Sequence, residues 1–327
     1  MTYKFNEIPY LCKDKMHSIM ATVPNIAFIV PAYRAADLHK TLQSLAMQTD
    51  RDFSVYLADD AVPEDLSALT AEFEDALSVR YTRFEERLGD VSRSKHLSRA
   101  LSLLRGEPFV CFLEGDAELT PDCVKRLRRT IARHPEYAVY HWNAEILDAA
   151  GAPIEKVSRY GVSLRTDKLF RKLFMKGFRA PLPAFVFRTE TLLSKVVFDG
   201  ETYRTDLQNI FACAGETGVR TVRWARVRQW TAAAPDPALQ ERETLSRLAF
   251  FRWSETFFGE DYPISVGDRL DLFAETAARL YPTYTADEVK ARFMAFDVCQ
   301  GTLRKLKASS ALRYAMKERG KELKGTI

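Results

Sequence analysis

Glycine is scarce in this chain, 14 of 327 residues. Nowhere do the glycines form G-x-G-x-x-G or G-x-x-x-x-G-K-[ST], so a backbone loop that cradles phosphates through its N–H groups is excluded. A phosphorylated ligand would have to be neutralised by basic side chains or by a hard cation. Cysteine is as sparse. Cys12, Cys111, Cys123, Cys213 and Cys299 are odd in number, scattered and free of any C-x-x-C pair. That excludes a disulfide framework or a cysteine zinc site and predicts a reducing compartment. His39, His96, His134 and His141 stand at no metal-ligand spacing and are expected on or near the surface. Long apolar runs are missing too. "MTYKFNEIPYLCKDKMHSIM" carries charges where a signal peptide needs an apolar core, and "ATVPNIAFIVPAY" is too short and proline-broken to span a bilayer. A cytoplasmic protein is expected. The net charge of +4 is too mild to predict a nucleic-acid partner, although a local basic patch would suit anionic ligands or lipid head groups.

What is present is a globular composition, 46% hydrophobic and 28% charged, with a regular rhythm from about residue 25. "IAFIV" (26–30) reads as a buried strand, and Leu38, Leu42 and Leu45 follow at helical spacing. "FSVYLA" (53–58) is a second strand. Leu66, Leu69, Phe73 and Leu77 predict a second helix behind Pro63 and two acids. "VRYTRF" (79–84) is a third strand, with Leu97, Leu101 and Leu104 on a third helix. "FVCFL" (109–113) is a fourth strand. Thr120 is the expected N-cap and Pro121 the first residue of a fourth helix, whose stripe is Val124, Leu127 and Ile131. Four strand–helix units predict an α/β fold, a mostly parallel sheet with helices on both faces. Beyond Trp142 the rhythm loosens. A hairpin is expected around Ala149–Gly151, a basic amphipathic segment over 168–179, strands in "AFVFRTETLL" and "TVRWARV", a helix around Asp206–Ala214, and a linker at 231–238. The last ninety residues read as a helical appendage. Phe170, Leu173 and Phe174 beside Lys168, Arg171, Lys172 and Lys176 could either pack on the sheet or rest on a membrane surface, and the late stretch "LRKLKASSALRYAMKERGKELKG" poses the same choice.

Two strands end in acids. "VYLADD" runs into Asp59 and Asp60, and "VCFLEGD" into Glu114 and Asp116. In a parallel sheet both ends share one edge, and that edge is where such sheets bind ligands. Glu114 and Asp116 offer the oxygen donors that Mg²⁺ or Mn²⁺ prefers. Arg93, Lys95 and Arg99 lie upstream, near the start of the third helix, placed for an anionic ligand or for an ordinary solvated face.

"IAFIVPAYRAADLHKTLQSLAMQTDRDFSVYLADD" resembles the opening of glycosyltransferase family 2: strand, Pro-x-Tyr, helix, Gln-Thr, strand, Asp-Asp. "GEPFVCFLEGDAELTPDCVKRL" is similar to that family's strand with an Asp-x-Asp motif and the Pro-Asp helix behind it. "PLPAFVFRTETLLSKVVFDGETYRTDLQNIFACA" resembles the segment that ends in the catalytic acid. The resemblance covers residues 25–230. It implies a GT-A fold and a UDP- or GDP-linked sugar donor. By position, Pro31, Ala32 and Tyr33 would frame the base pocket, and Asp59 or Asp60 would bond the base. Arg93 and Lys95 would meet the phosphates, Glu114 and Asp116 would hold Mn²⁺ or Mg²⁺, and Asp206 would be the general base. The implied organisation is an N-terminal extension (1–24), a GT-A-like transferase domain (25–235) and a helical C-terminal extension (236–327).

The implied reaction is transfer of a hexose-type sugar, with inversion, to a hydroxyl of a glycan or lipid-linked acceptor, with peripheral contact to the inner face of a membrane. Three positions depart from the family pattern: Glu114 stands for Asp, Thr205 stands where an acid is common before Asp206, and Trp230 stands where many relatives have His. They keep open a non-catalytic nucleotide-sugar or glycan-binding relative. A sugar nucleotidyltransferase fits less well, because the first strand runs into "PAYRAAD" and not into a glycine-rich loop.

Overall fold

A computed structural model describes residues 26–154, 160–176, 180–195, 205–230, 237–280, 284–294, 296, 299, 307–308, 310–313 and 317. The expected N-terminal extension, most of the expected linker and much of the late basic stretch lie outside the described residues. The strands are β1 (Ile26–Ala32), β2 (Phe53–Asp59), β3 (Val79–Arg83), β4 (Phe109–Phe112), β5 (Ala117–Leu119), β6 (Val139–Leu147), β7 (Ser163–Leu164), β8 (Phe185–Arg188) and β9 (Val219–Trp230). The helices are α1 (Leu38–Ala46), α2 (Ser67–Ala71), α3 (Gly89–Leu101), α4 (Cys123–Arg133), α5 (Thr166–Met175), α6 (Thr189–Lys195), α7 (Thr205–Ala214), α8 (Pro237–Phe258), α9 (Val266–Leu280) and α10 (Ala286–Met294).

One sheet runs in the order β3-β2-β1-β4-β8-β6-β9-β5, with β7 on β9. The first four strands are parallel, Ala32 facing Asp59 and Ile29 facing Phe112. Every residue of β1 and β2 is buried, as befits central strands covered on both faces. The expectation of an α/β sheet holds, with a mixed second half. β8 is antiparallel to both β4 and β6, while β6 and β9 are parallel. Two reversals return β9 to the direction of β4. Its carboxyl end, Gln229 and Trp230, therefore reaches the same edge as the acids after β4.

Three local expectations change. The helix over Leu66–Leu77 closes after one turn and a half, because Glu72, Glu74 and Asp75 crowd its carbonyl end, where acids are disfavoured. Leu66, Phe73 and Leu77 are nevertheless buried. Thr120 does not cap α4. That helix starts at Cys123, and the Thr120 hydroxyl accepts a bond from the Arg226 N–H of β9 at 3.1 Å. Finally, α5 packs on other helices. Phe170 is fully buried, its ring 6.0 Å from Phe211 of α7, 6.3 Å from Phe250 and 5.3 Å from Phe258 of α8. The C-terminal helices are thus joined to the sheet domain by an aromatic cluster. The turn expected around Ala149–Gly151 is present, with Asp148 N–H bonded to the Ala152 carbonyl at 2.9 Å. Among the described residues, no helix is long and apolar enough to cross a membrane.

Candidate active site

The turn after β4 is held from below by α1. The Thr41 hydroxyl donates into the carbonyls of Gly115 and Ala117, each at 2.8 Å. Ser44 accepts from Leu119 N–H at 3.2 Å. The Gln48 amide, 2% exposed, donates to the Thr120 carbonyl at 3.1 Å and accepts from Val124 N–H at 3.2 Å. Buried polar groups must find partners, and these three spend theirs on fixing the backbone of residues 114–124. From the other side, Trp230 N–H bonds the Asp116 carbonyl at 3.0 Å. The result is an open cleft lined by Pro31, Tyr33, Arg34, Leu38, Glu114, Gly115 and Asp116, with about 370 Å³ of empty space.

Arg93 organises the charges in that cleft. α3 is broken at Ser92 (φ −156°, ψ 97°), and the break aims the next side chain inward. The Arg93 guanidinium lies 2.6 Å from Glu114 Oε1 and 2.8 Å from Asp206 Oδ2. Burial opposes its charge, but Asp206 and Glu114 outweigh that and hold it firmly protonated. Asp206, in the first turn of α7, is therefore brought across the cleft to the acids after β4. Among the described residues its second oxygen, Oδ1, is buried without a hydrogen-bond partner. Among the described residues the Tyr33 hydroxyl is likewise buried and unpartnered, and burial pushes its pKa far up, so it stays a neutral phenol.

Asp59 and Asp60 sit at this edge, but their carboxylates are used by the protein. Asp59 accepts from Val62 N–H (2.9 Å), the Tyr81 hydroxyl (2.6 Å) and Arg83 (3.1 Å). Asp60 accepts from the N–H groups of Leu88 (2.9 Å) and Gly89 (2.6 Å) and from Arg99 (2.5 Å). Both are buried. They brace the 83–89 loop against β2, which follows from the cost of burying a carboxylate without donors. Gly89 approaches so closely that a Cβ there would meet the Tyr33 ring at 2.4 Å. Pro31 and Ala32 are buried at the end of β1, where the Ala32 carbonyl accepts from Asp60 N–H at 3.1 Å. Lys95 is exposed on α3, two residues beyond Arg93 and so off the face that carries it.

Gln229 enters the cleft from β9, although sequence reasoning passed it over. Its amide lies 3.2 Å from Asp116 Oδ1 and 3.5 Å from Glu114 Oε2, near the outer limit of a hydrogen bond. Attention had gone to Trp230, whose ring instead packs under the Lys40 ammonium at 5.0 Å. Neighbours on a strand point to opposite faces, so the alternation of "RVRQW" was the signal that could have found Gln229.

Among the described residues, no group of three or more His, Cys, Asp or Glu side chains is arranged to enclose a metal ion. Glu114 and Asp116 nonetheless converge on one amide, and Mg²⁺-type ions are commonly held by one or two carboxylates together with substrate phosphates. The donor set fits an ion shared with a diphosphate, with Arg93 already engaging Glu114.

Residues 27–186 match the family described as Glycosyl transferase family 2. Comparison with curated proteins gives no match. Among solved structures, S. aureus TarS 1-349 aligns with a TM-score of 0.57 at 14% identity, over 91% of this chain and 92% of that one. The same fragment in complex with UDP-GlcNAc aligns at 0.57 and 13% identity, over 91% and 92%. GalNAc-T7 with UDP, GalNAc and Mn²⁺ aligns at 0.51 and 12% identity, over 93% of this chain and 58% of that one. At these identities the likeness is one of fold, and it is the GT-A fold that the strand order builds.

Proposed function

Because residues 27–186 carry glycosyl transferase family 2 sequence on a GT-A fold, we propose that the protein is an inverting glycosyltransferase. It would move a hexose-type sugar from a nucleoside-diphosphate donor to a hydroxyl of a glycan or lipid-linked acceptor at the cytoplasmic side of a membrane. The observation that carries this reading is the joining of Asp206 to Glu114 through one guanidinium, with Asp206 Oδ1 buried and, among the described residues, unpartnered. A carboxylate facing the acids across a cleft is where an inverting displacement needs its base. The UDP and UDP-GlcNAc bound in the TarS structures, and the UDP bound in GalNAc-T7, favour a UDP-linked donor.

In this reading Tyr33 and Pro31 line the nucleotide end of the cleft, shaped by the 83–89 loop that Asp60 fastens. Asp116 and Glu114 would hold the cation, which when bound stabilises the negative charge that develops on the departing diphosphate. Arg93 meets the phosphates. A diphosphate is a stronger anionic partner than a carboxylate, so its arrival draws Arg93 from Asp206 and frees that carboxylate to take the acceptor proton. Residues 25–235 form the transferase unit, and 236–327 support it.

The Arg93 bridge also favours a second reading, a nucleotide-sugar-binding relative without turnover, since the guanidinium occupies the carboxylate that would have to take the proton. Asp206→Asn separates the two. With UDP-linked donors, Mn²⁺ and a panel of glycan acceptors, the wild type should transfer sugar. The variant should lose roughly a hundred- to ten-thousand-fold in rate while binding UDP as before. A well-folded Asp206→Asn protein with undiminished transfer would remove the base assignment. Absence of transfer from every donor, with UDP still bound, would leave the binding relative.

A further inference from the structure

A second charged surface lies on α4 and the bulged middle of β9. α4 is pinned alongside β9 at both ends. Near its start, the Cys123 thiol donates to the Arg226 carbonyl at 3.3 Å. At its C-terminal cap, His134 meets Arg220 at 2.7 Å. Between these anchors β9 bulges, and its pairing with β6 breaks from Thr221 to Arg226. The bulge carries Trp224 in a left-handed backbone conformation (φ 64°) with 75% of the residue exposed. A bulky side chain rarely adopts that conformation, and a large aromatic is rarely left so exposed. Strain of this kind gathers at functional sites. Val162, also exposed, is tied beside the bulge by the bond from Thr221 N–H to its carbonyl at 3.0 Å.

Exposed cations lie on the same helix and strand. Lys125, Arg129 and Arg133 recur every four residues along the outer ridge of α4, opposite buried Val124 and Leu127, and span roughly 12 Å. Arg223 and Arg226 are exposed on β9, and the Arg223 guanidinium lies over the Trp224 ring at 5.6 Å. Among the described residues none of these five forms an ion pair. The contrast lies on the opposite flank of the same helix, where Arg128 is consumed by Asp50 at 2.9 Å and Asp52 at 2.8 Å. The acids at the ends of α4 are engaged as well, Asp122 with Arg126 at 3.3 Å and Glu136 with His134 at 3.5 Å.

We propose that this face docks on an anionic lipid bilayer, with Lys125, Arg129, Arg133, Arg223 and Arg226 against the headgroup phosphates and Trp224 set at headgroup depth. Charge complementarity selects an anionic partner. A projecting indole beside an apolar neighbour, on the segment of β9 where its pairing with β6 breaks, selects a bilayer over a soluble polyanion, because the interface gives the ring an apolar side and a polar one. The surface is independent of the sugar-transfer reading and would orient the chain whatever the cleft does.

The test is co-sedimentation of the full chain with vesicles of phosphatidylcholine alone, and of phosphatidylcholine with phosphatidylglycerol, with inorganic polyphosphate as the soluble competitor. Binding should require phosphatidylglycerol, weaken with salt and shift tryptophan emission to the blue. Lys125→Ala, Arg129→Ala and Arg133→Ala together should weaken it about a hundredfold, at roughly fivefold per cation. Trp224→Gly, which also suits the left-handed backbone, should keep the fold, abolish the blue shift and reduce binding. Binding that ignores lipid charge, or that survives the triple substitution, would overturn the proposal. So would binding unaffected by Trp224→Gly and displaced entirely by polyphosphate, which would make the face a general polyanion site.

Discussion

At the scale of single residues, the cleft is governed by what its polar atoms lack and what its neighbours leave no room for. Gly89→Ala would push a methyl group into the Tyr33 ring and to 2.6 Å from Asp60 Oδ2. The expected cost is about 1–3 kcal/mol, read by urea denaturation, together with weaker UDP binding. Behind the same loop, His96 is fully buried. Its Nε2 lies 3.1 Å from the Ala58 carbonyl, and its Nδ1 lies 3.1 Å from Arg99 Nε and 3.0 Å from Asp60 Oδ1. Burial disfavours the charged ring and outweighs the pull of Asp60, lowering its pKa from 6.5 to about 4. Burial lowers His141 further, to about 3. A folded state that refuses protons the unfolded chain accepts loses stability as pH falls. The stability supplied by these rings is therefore complete above pH 6.5 and drains away toward pH 4. Denaturation midpoints should fall across that window, and His96→Gln should remove about one proton from the slope. A flat profile between pH 7 and 5 would contradict the neutral assignment.

At the scale of elements, α1 acts on the acids without touching their carboxylates. Thr41, Ser44 and Gln48 are three polar residues on the buried face of that helix, and each bonds the backbone of the segment that carries or follows Glu114 and Asp116. Thr41→Val keeps the volume and deletes the hydroxyl, leaving the Gly115 and Ala117 carbonyls short of a donor. The expected loss is about 1–3 kcal/mol of stability, with a drop in Mn²⁺-dependent UDP binding measured by calorimetry. Unchanged binding would mean that the turn holds its shape without α1.

At the scale of the whole molecule, the C-terminal helices are part of one core. Phe250 is fully buried between Phe174 at 5.3 Å and Phe211 at 5.6 Å, so α8 is packed by aromatic contact on α5 and α7, the helix that bears Asp206. Phe250→Ala should cost about 3–5 kcal/mol and lower the midpoint of a single cooperative transition. Two separate transitions, with the sheet domain unmoved, would show that the extension stands apart from it.

The local grammar of this protein is written in contiguous residues. Alternating and 3.6-residue apolar spacing located β1 to β4 and the helices between them, because those periods are properties of a segment alone. Acids at the ends of β2 and β4 marked the ligand edge for the same reason. Tertiary structure decided which of those acids line the cleft. Asp59 and Asp60 read like Glu114 and Asp116 in the sequence, yet donors from Val62, Tyr81, Leu88, Gly89 and Arg99 close them off. Arg93 reaches Asp206 across 113 positions, and Gln229 reaches Asp116 across another 113. Such meetings depend on strand order and on two reversals of direction in the sheet, which no local period encodes.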